Sequence, residues 1–151
     1  MRWQWSLYDR LSPMEILEIM KLRQAVFVVE QECAYQDADD LDPLSWHLTG
    51  WEEDAHGKRL VAYLRVVSPG SRFAEPSIGR VITPMTLRGR GLGKALMHEA
   101  IKRIPSLYRQ TSIRISAQQR MEPFYAGFGF ETVSAPYDED GIPHVEMLRT
   151  P

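Results

Sequence analysis

Trp3, Trp5 and Leu7 alternate with polar neighbours, the period-two pattern of a strand with one buried face. Ser12-Pro13-Met14-Glu15 then predicts a helix start. Ser12 is the N-cap, Pro13 takes the first helical position, and Glu15 closes a capping box. Ile16, Met20, Arg23 and Phe27 fall on neighbouring turns with Leu17, Leu22 and Val26 beside them. The helix therefore runs for roughly four turns and ends near Val29. From residue 30 to 43 the chain is polar and acidic, with Asp37, Asp39, Asp40 and Asp42, and reads as a solvated loop.

Three strands follow. Residues 46–51 alternate, Ala55-His56-Gly57-Lys58 turns, and residues 60–67 form a mostly apolar strand. After the Ser68-Pro69-Gly70 loop start, residues 77–83 form the next strand, closed by Pro84. Residues 91–104 are helical, with Leu92, Leu96, Ile101 and Ile104 along one side and Pro105 as terminator. Residues 112–117 alternate as a strand. Residues 123–128 are a short helix capped by Gly129. Residues 131–136 and, after an Asp140-Gly141 turn, 145–149 close as an antiparallel pair. The order predicts an α/β fold with a mixed sheet. The strand–helix–strand unit over 77–117 predicts a right-handed parallel crossover.

The chain has 151 residues, 44% hydrophobic and 25% charged, which predicts a single globular domain over 1–151. A net charge of −2 provides no global field toward nucleic acid or an anionic membrane, so neither is an expected partner. The lone Cys33 excludes an internal disulfide framework and a cysteine-based zinc site, and no metal site is expected. The N-terminus lacks a signal-peptide pattern, and no apolar run approaches the ~20 residues that span a bilayer. The cytoplasm is the expected address. The oligomeric state stays open, a homodimer included.

Arg88-Gly89-Arg90-Gly91-Leu92-Gly93-Lys94 joins a predicted strand to a predicted helix. Glycines let the backbone approach closely, and the free N–H groups and dipole of a helix start favour phosphate. Arg88, Arg90 and Lys94 add positive charge. A P-loop needs Gly-x-x-x-x-Gly-Lys-Ser/Thr and a dinucleotide fingerprint needs Gly-x-Gly-x-x-Gly. Counted from Gly89 or Gly91, both patterns fail. The stretch Arg88-x-x-Gly91-x-Gly93 instead resembles the acetyl-CoA signature of the GCN5-related N-acetyltransferase (GNAT) family, Gln/Arg-x-x-Gly-x-Gly/Ala. The resemblance implies that the amides of residues 88–94 hold the CoA pyrophosphate. It also implies that Val81, Ile82 and Thr83 pair through their backbone with the pantetheine arm.

Phe124-Tyr125-Ala126-Gly127-Phe128-Gly129-Phe130 is similar to that family's Phe-Tyr-x-x-x-Gly-Phe segment. By the resemblance Tyr125 protonates the departing CoA thiolate, and Phe124 joins it beside the cofactor. On their own, Phe124, Phe128 and Phe130 read as an aromatic packing cluster. Leu22 to Gln31, Tyr35-Gln36-Asp37 and the run from Tyr137 to His144 resemble the ElaA-like branch of the family. Together these features imply a GNAT fold with a mixed, mostly antiparallel sheet of about seven strands flanked by helices, with a central parallel strand pair. They also imply transfer of an acetyl group from acetyl-CoA to an amine acceptor, a small molecule or an exposed protein amine.

An ammonium of pKa ~10 must lose a proton before it attacks a thioester, so a base is required. Many members of the family carry a glutamate early in the strand before the glycine loop. Here that stretch is Ser77-Ile78-Gly79-Arg80, with no carboxylate. Glu30, His144 and Glu146 are the candidate bases. Arg80 either faces the acceptor or sits in a surface ion pair. The backbone N–H of Ile82 is the oxyanion donor by family analogy. The acidic 30–42 stretch falls where the family builds its acceptor wall and could attract a cationic amine. Cys33 reads as structural. A non-catalytic acetyl-CoA sensor and an interaction domain whose loop binds nothing are the competing readings.

Overall fold

The alternation at the N-terminus becomes an edge strand, β1 (Arg2–Leu7), paired antiparallel with β2 (Ser45–Asp54). Trp3 lies opposite Gly50, where a Cβ would come within 2.8 Å of the indole, so the close approach requires glycine. β2 turns through Ala55-His56 into β3 (Gly57–Val67), and β3 pairs antiparallel with β4 (Ser77–Ile82). This computed structural model describes residues 1–109 and 112–151.

The second sheet is built around β8 (Ile142–Arg149). β5 (Ile113–Gln118), β6 (Glu131–Thr132) and β7 (Tyr137–Glu139) all pair with it antiparallel. The expected strand over 131–136 shrinks to β6, and β7 is a strand that the sequence pattern did not single out. It forms a hairpin with β8 through Asp140 (φ 52°) and Gly141 (φ 80°), a left-handed pair suited to a two-residue turn.

The expected parallel strand pair is absent. Among the described residues every pairing is antiparallel, in two four-stranded sheets. β4 and β5 are tied at one end, where the Arg114 N–H donates to the Pro76 carbonyl at 3.1 Å. Elsewhere a cleft walled by residues of both strands stands between them. A ladder needs backbones about 4.8 Å apart, so opening the cleft removes the pairing.

Helix α1 (Pro13–Arg23) starts with the expected capping box: Glu15 N–H donates to Ser12 Oγ at 3.1 Å, and Ser12 N–H to Glu15 Oε1 at 2.8 Å. It does not stay α-helical. Gln24–Glu30 is a π-helical segment, continued by Gln31 N–H to the Val26 carbonyl at 3.2 Å and Cys33 N–H to that of Val28 at 3.1 Å. Helix α2 (Leu92–Leu107) runs through Pro105 rather than ending there. In the last turn proline leaves only one carbonyl without its partner, and Tyr108 N–H still reaches the Ile104 carbonyl at 3.0 Å. The short α3 (Glu122–Ala126) ends before the expected residue 128, with Gly127 rather than Gly129 as its C-cap; Gly129 then turns left-handed at φ 90°.

From Leu60 on, β3 is buried on both sides, which explains its mostly apolar run. Ala62, Leu64 and Val66 pack with Leu96, Met97, Ala100 and Ile104 of α2 and with Ile113, Ile115 and Met147 of the second sheet. Tyr63 belongs to a separate cluster with Ile19 of α1, Val26, Trp51 and Ile82. No helix among the described residues is long and apolar enough to cross a membrane.

Candidate active site

The cleft between β4 and β5 has a volume of about 1150 Å³. At one end stands the glycine loop. Gly89 and Gly91 have φ of 87° and 78°, and Gly91 is the N-cap of α2. Ala95 N–H is the first to return to Gly91, at 3.0 Å. The N–H groups of Leu92, Gly93 and Lys94 therefore have no carbonyl to meet inside the helix, and the positive end of its dipole lies with them. An ideal Cβ on Gly89 or Gly91 would meet nothing within 4 Å, so the loop is open to a ligand. This backbone cradle fits a diphosphate, and the cleft beyond it has room for a pantetheine arm.

Val81, Ile82, Thr83, Arg88, Gly89, Gly91, Leu92, Gly93 and Lys94 all line the cleft, with Phe124 and Tyr125. Arg90 does not. It pairs with Glu52 of β2 at 2.7 Å. Arg88 is committed to Glu30, the last residue of the π-helical segment, through two bonds of 2.7 and 2.9 Å. A guanidinium meets carboxylate and phosphate with the same fork.

Tyr125 packs edge-on against Phe124 and Phe130. Burial pushes its hydroxyl pKa up to about 12. His144 is buried with its ring stacked on Tyr137. Its Nδ1 lies 2.7 Å from the Ile142 carbonyl and its Nε2 lies 3.2 Å from Glu139, so both nitrogens face acceptors. Glu139 is shared with Arg72 at 3.0 Å. Glu146 does not line the cleft; it pairs with Arg114 at 3.3 Å. Glu30 and His144 are thus brought to the cleft, and Glu146 is not.

The acidic stretch is not a solvated loop. Asp37 and Asp42 are buried, and their partners Arg23 and Arg65 have side chains only 0% and 1% exposed. Arg23 meets Asp37 through Nε at 2.7 Å, Asp42 through Nη1 at 2.6 Å, and the Asp37 carbonyl through Nη2 at 2.9 Å. Arg65 meets Asp39 at 2.6 and 2.9 Å and Asp42 at 2.8 Å. His47 donates from Nε2 to the Asp42 carbonyl at 2.9 Å and accepts the Tyr63 hydroxyl on Nδ1 at 2.7 Å. Burial pushes the Asp42 carboxyl up, but the bond from Arg23 and the charges of Arg23 and Arg65 outweigh it and hold the pKa at about 2. Buried charges need partners. These aspartates are spent on arginines, so the network does not attract a cationic amine.

Arg80 lines the cleft and sits in an ion pair, with the buried Asp37 rather than at the sheet surface as expected. Its Nε lies 2.8 Å from Asp37, and its Nη2 donates to the Asp37 carbonyl at 3.0 Å. Its φ is 54°, left-handed, which costs a side-chain-bearing residue about 1–2 kcal/mol. The β3–β4 register pairs Tyr63 with Ile82 and Arg65 with Gly79, so Arg80 and Val81 together oppose Leu64 in a β-bulge.

Several cleft residues had escaped the sequence reading. Gln118 donates to Gln31 at 3.2 Å, linking β5 to the residue after the π-helical segment. Ser116 bonds the Tyr137 hydroxyl, and Tyr35 donates to Asp37 at 2.8 Å. The signal for Ser116 and Gln118 was their polar alternation in a strand whose Ile113, Ile115 and Ala117 are buried. Cys33 also lines the cleft, with Sγ donating to the Asp140 carbonyl at 3.2 Å. No metal-holding cluster of His, Cys, Asp or Glu occurs among the described residues.

Residues 48–150 match the family described as Acetyltransferase (GNAT) domain. A UPF0039 protein of Synechocystis is 44% identical over 97% of this chain and 93% of its own length. Escherichia coli ElaA is 38% identical over 97% of this chain and 95% of its own. The crystal structure of ElaA superposes with a TM-score of 0.89 over 99% of both chains. A crystal structure of an acyl-CoA N-acyltransferase from Pseudomonas aeruginosa, 36% identical, superposes with a TM-score of 0.90 over 99% of this chain and 100% of that one.

Proposed function

The chain belongs to the GNAT acetyltransferase family, in its ElaA-like branch, and from that premise we propose how its cleft transfers an acetyl group. The protein is an acetyl-CoA-dependent N-acetyltransferase with an amine acceptor. The observation that carries the assignment of residues is the opening between β4 and β5, with the glycine cradle at one end and Tyr125 in its wall.

The amides of Leu92, Gly93 and Lys94, with the αL turn at Gly91, bind the diphosphate. Val81, Ile82 and Thr83 run beside the pantetheine arm, and Phe124 packs against it. The thioester supplies an activated acyl carbon. Glu30 takes the proton of the ammonium, directly or through water. His144 is the alternative base; both candidates are already engaged, Glu30 by two bonds from Arg88 and His144 by acceptor oxygens at both nitrogens. The neutral amine forms the new C–N bond at the thioester carbonyl, and the Ile82 N–H meets the charge that develops on its oxygen. The C–S bond then breaks, and Tyr125 gives its proton to the departing thiolate. Tyr125 keeps that proton through ordinary assay conditions, because its pKa lies at about 12. The whole chain serves as one acetyltransferase domain, acting in the cytoplasm.

The test is free-thiol release from acetyl-CoA across a panel of amines and peptides. Tyr125→Phe should lower kcat by about 10²-fold, within the range of general acid catalysis, with acetyl-CoA affinity unchanged. An unaltered kcat would remove Tyr125 from the reaction.

A further inference from the structure

We propose that Asp37 is a positioning residue of the transfer reaction: by pinning the Arg80 guanidinium it holds the β4 bulge, and with it the backbone of Val81–Thr83, in the conformation that lines the cleft. The proposal rests on the reading of that backbone as the wall beside the pantetheine arm.

Asp37 is where three parts of the fold meet. Its carboxylate accepts from Arg23 of α1 at 2.7 Å and from the Tyr35 hydroxyl at 2.8 Å, and it stands 2.8 Å from the Arg80 Nε of β4 as an ion pair without hydrogen-bond alignment. Its carbonyl receives Arg23 at 2.9 Å and Arg80 at 3.0 Å. Two guanidinium groups from different elements thus share one residue, carboxylate and carbonyl alike. Arg23 is anchored twice, because Asp42 also holds it at 2.6 Å. Arg80 has a weaker second anchor, Asp39 at 3.5 Å.

Arg80 is also strained. Its φ of 54° belongs to the conformation that glycine adopts without cost, yet an arginine stands there. Such strain persists where the surroundings over-determine it. The surroundings at Arg80 are Asp37 on its polar edge and the rings of Phe27 and Tyr35, 5.9 and 6.0 Å from the guanidinium carbon. The next three residues, Val81, Ile82 and Thr83, line the cleft. The side-chain grip at Arg80 is therefore what fixes the backbone beside the reaction. Without it, residue 80 would relax toward ordinary extended strand and move the amides that follow.

A double-mutant cycle separates this role from a general structural one. Glycine at position 80 adopts the left-handed bulge without a grip. Asp37→Asn should then lower kcat by about tenfold or more in the natural background, but by less than about threefold in the R80G background. Acetyl-CoA affinity at the glycine loop should move little in any variant. Equal losses in both backgrounds would overturn the proposal and assign Asp37's effect to Arg23. Hydrogen exchange reads the same cycle without any acceptor: the amides of residues 81–83 should exchange about tenfold faster in D37N and return toward the R80G rate in D37N/R80G. If no amine supports thiol release, the functional reading fails while exchange still decides the positioning claim. Unchanged exchange in D37N would defeat that claim alone.

Discussion

At the glycine-loop end of the cleft the ligand-facing groups belong to the backbone, and the arginines around it, Arg88 and Arg90, are 41% and 48% exposed. Around Asp37, Asp39 and Asp42 the order is reversed. There Arg23 and Arg65 are buried, and their partners lie 14 to 26 residues away along the chain. The first end is made by local geometry: two left-handed glycines and the start of a helix. The second is made by tertiary contact alone. A site for a common cosubstrate can be written in one short stretch. The buried network needs distant elements to agree, and it fails as a unit if one charge is left without its partner.

The largest expected effect breaks the buried end. Arg23→Ala leaves Asp37 and Asp42 with unbalanced buried charge and should cost about 3–5 kcal/mol of stability. Arg88→Ala, at the exposed end, should cost less than about 1 kcal/mol. Urea titration of the two variants checks the contrast, and similar losses would erase it. Next comes the backbone end. Gly91→Glu places bulk and negative charge in the diphosphate cradle and should weaken acetyl-CoA by about 100-fold, or about 2.7 kcal/mol. Gly91→Ala carries the same backbone strain at φ 78° without the charge, so its affinity should fall by less than about tenfold. Isothermal titration separates the two.

The acid response sharpens the same contrast. Asp42 drops from an ordinary 3.8 to about 2 in the folded state. A depressed carboxyl contributes stability that is complete above its unfolded value and disappears as pH falls through its folded one. The shift corresponds to about 2 kcal/mol, so the protein should lose about that much between pH ~5 and pH ~2 through this group. Asp42→Asn should flatten that part of the curve, although it will lower stability at neutral pH. Denaturation midpoints across the range measure both.

Local chemistry was legible wherever the signal and its cause lie within a few residues. Ser12 and Glu15 specify a helix start between themselves. Asp140-Gly141 specifies a turn, and the glycine loop up to Gly91 the start of a helix. The failures share another cause. Nothing near Asp37 announces that Arg23 and Arg80 will enclose it, so a run of aspartates reads as solvated. The widening of the first helix into a π-helical segment is equally invisible, because the residues 24–30 have good helical periodicity and the change is one of hydrogen-bond partner. The parallel pair was inferred from the strand–helix–strand order, which says that two strands become neighbours. It does not say whether they bond or stand apart around a cleft. Arg65, a lone cation in an apolar run, was the one hint of the buried network.

The smallest expected effect tests whether charge near the cradle matters apart from its backbone. Arg90 sits between the two left-handed glycines and looks from the sequence like a phosphate ligand. In the fold it turns away to Glu52, outside the cleft, and its hydrogen bond keeps that carboxyl below the usual range. Both partners are open to water, where such pairs contribute little. Arg90→Ala should therefore change acetyl-CoA affinity by less than about threefold at moderate salt. Lys94→Ala, which removes a cation that does line the cleft, should cost more. If Arg90→Ala weakened binding tenfold, side-chain charge would have to join the amides as a holder of the diphosphate. The glycine-loop end would then depend on its cations as the buried network around Asp37 and Asp42 does.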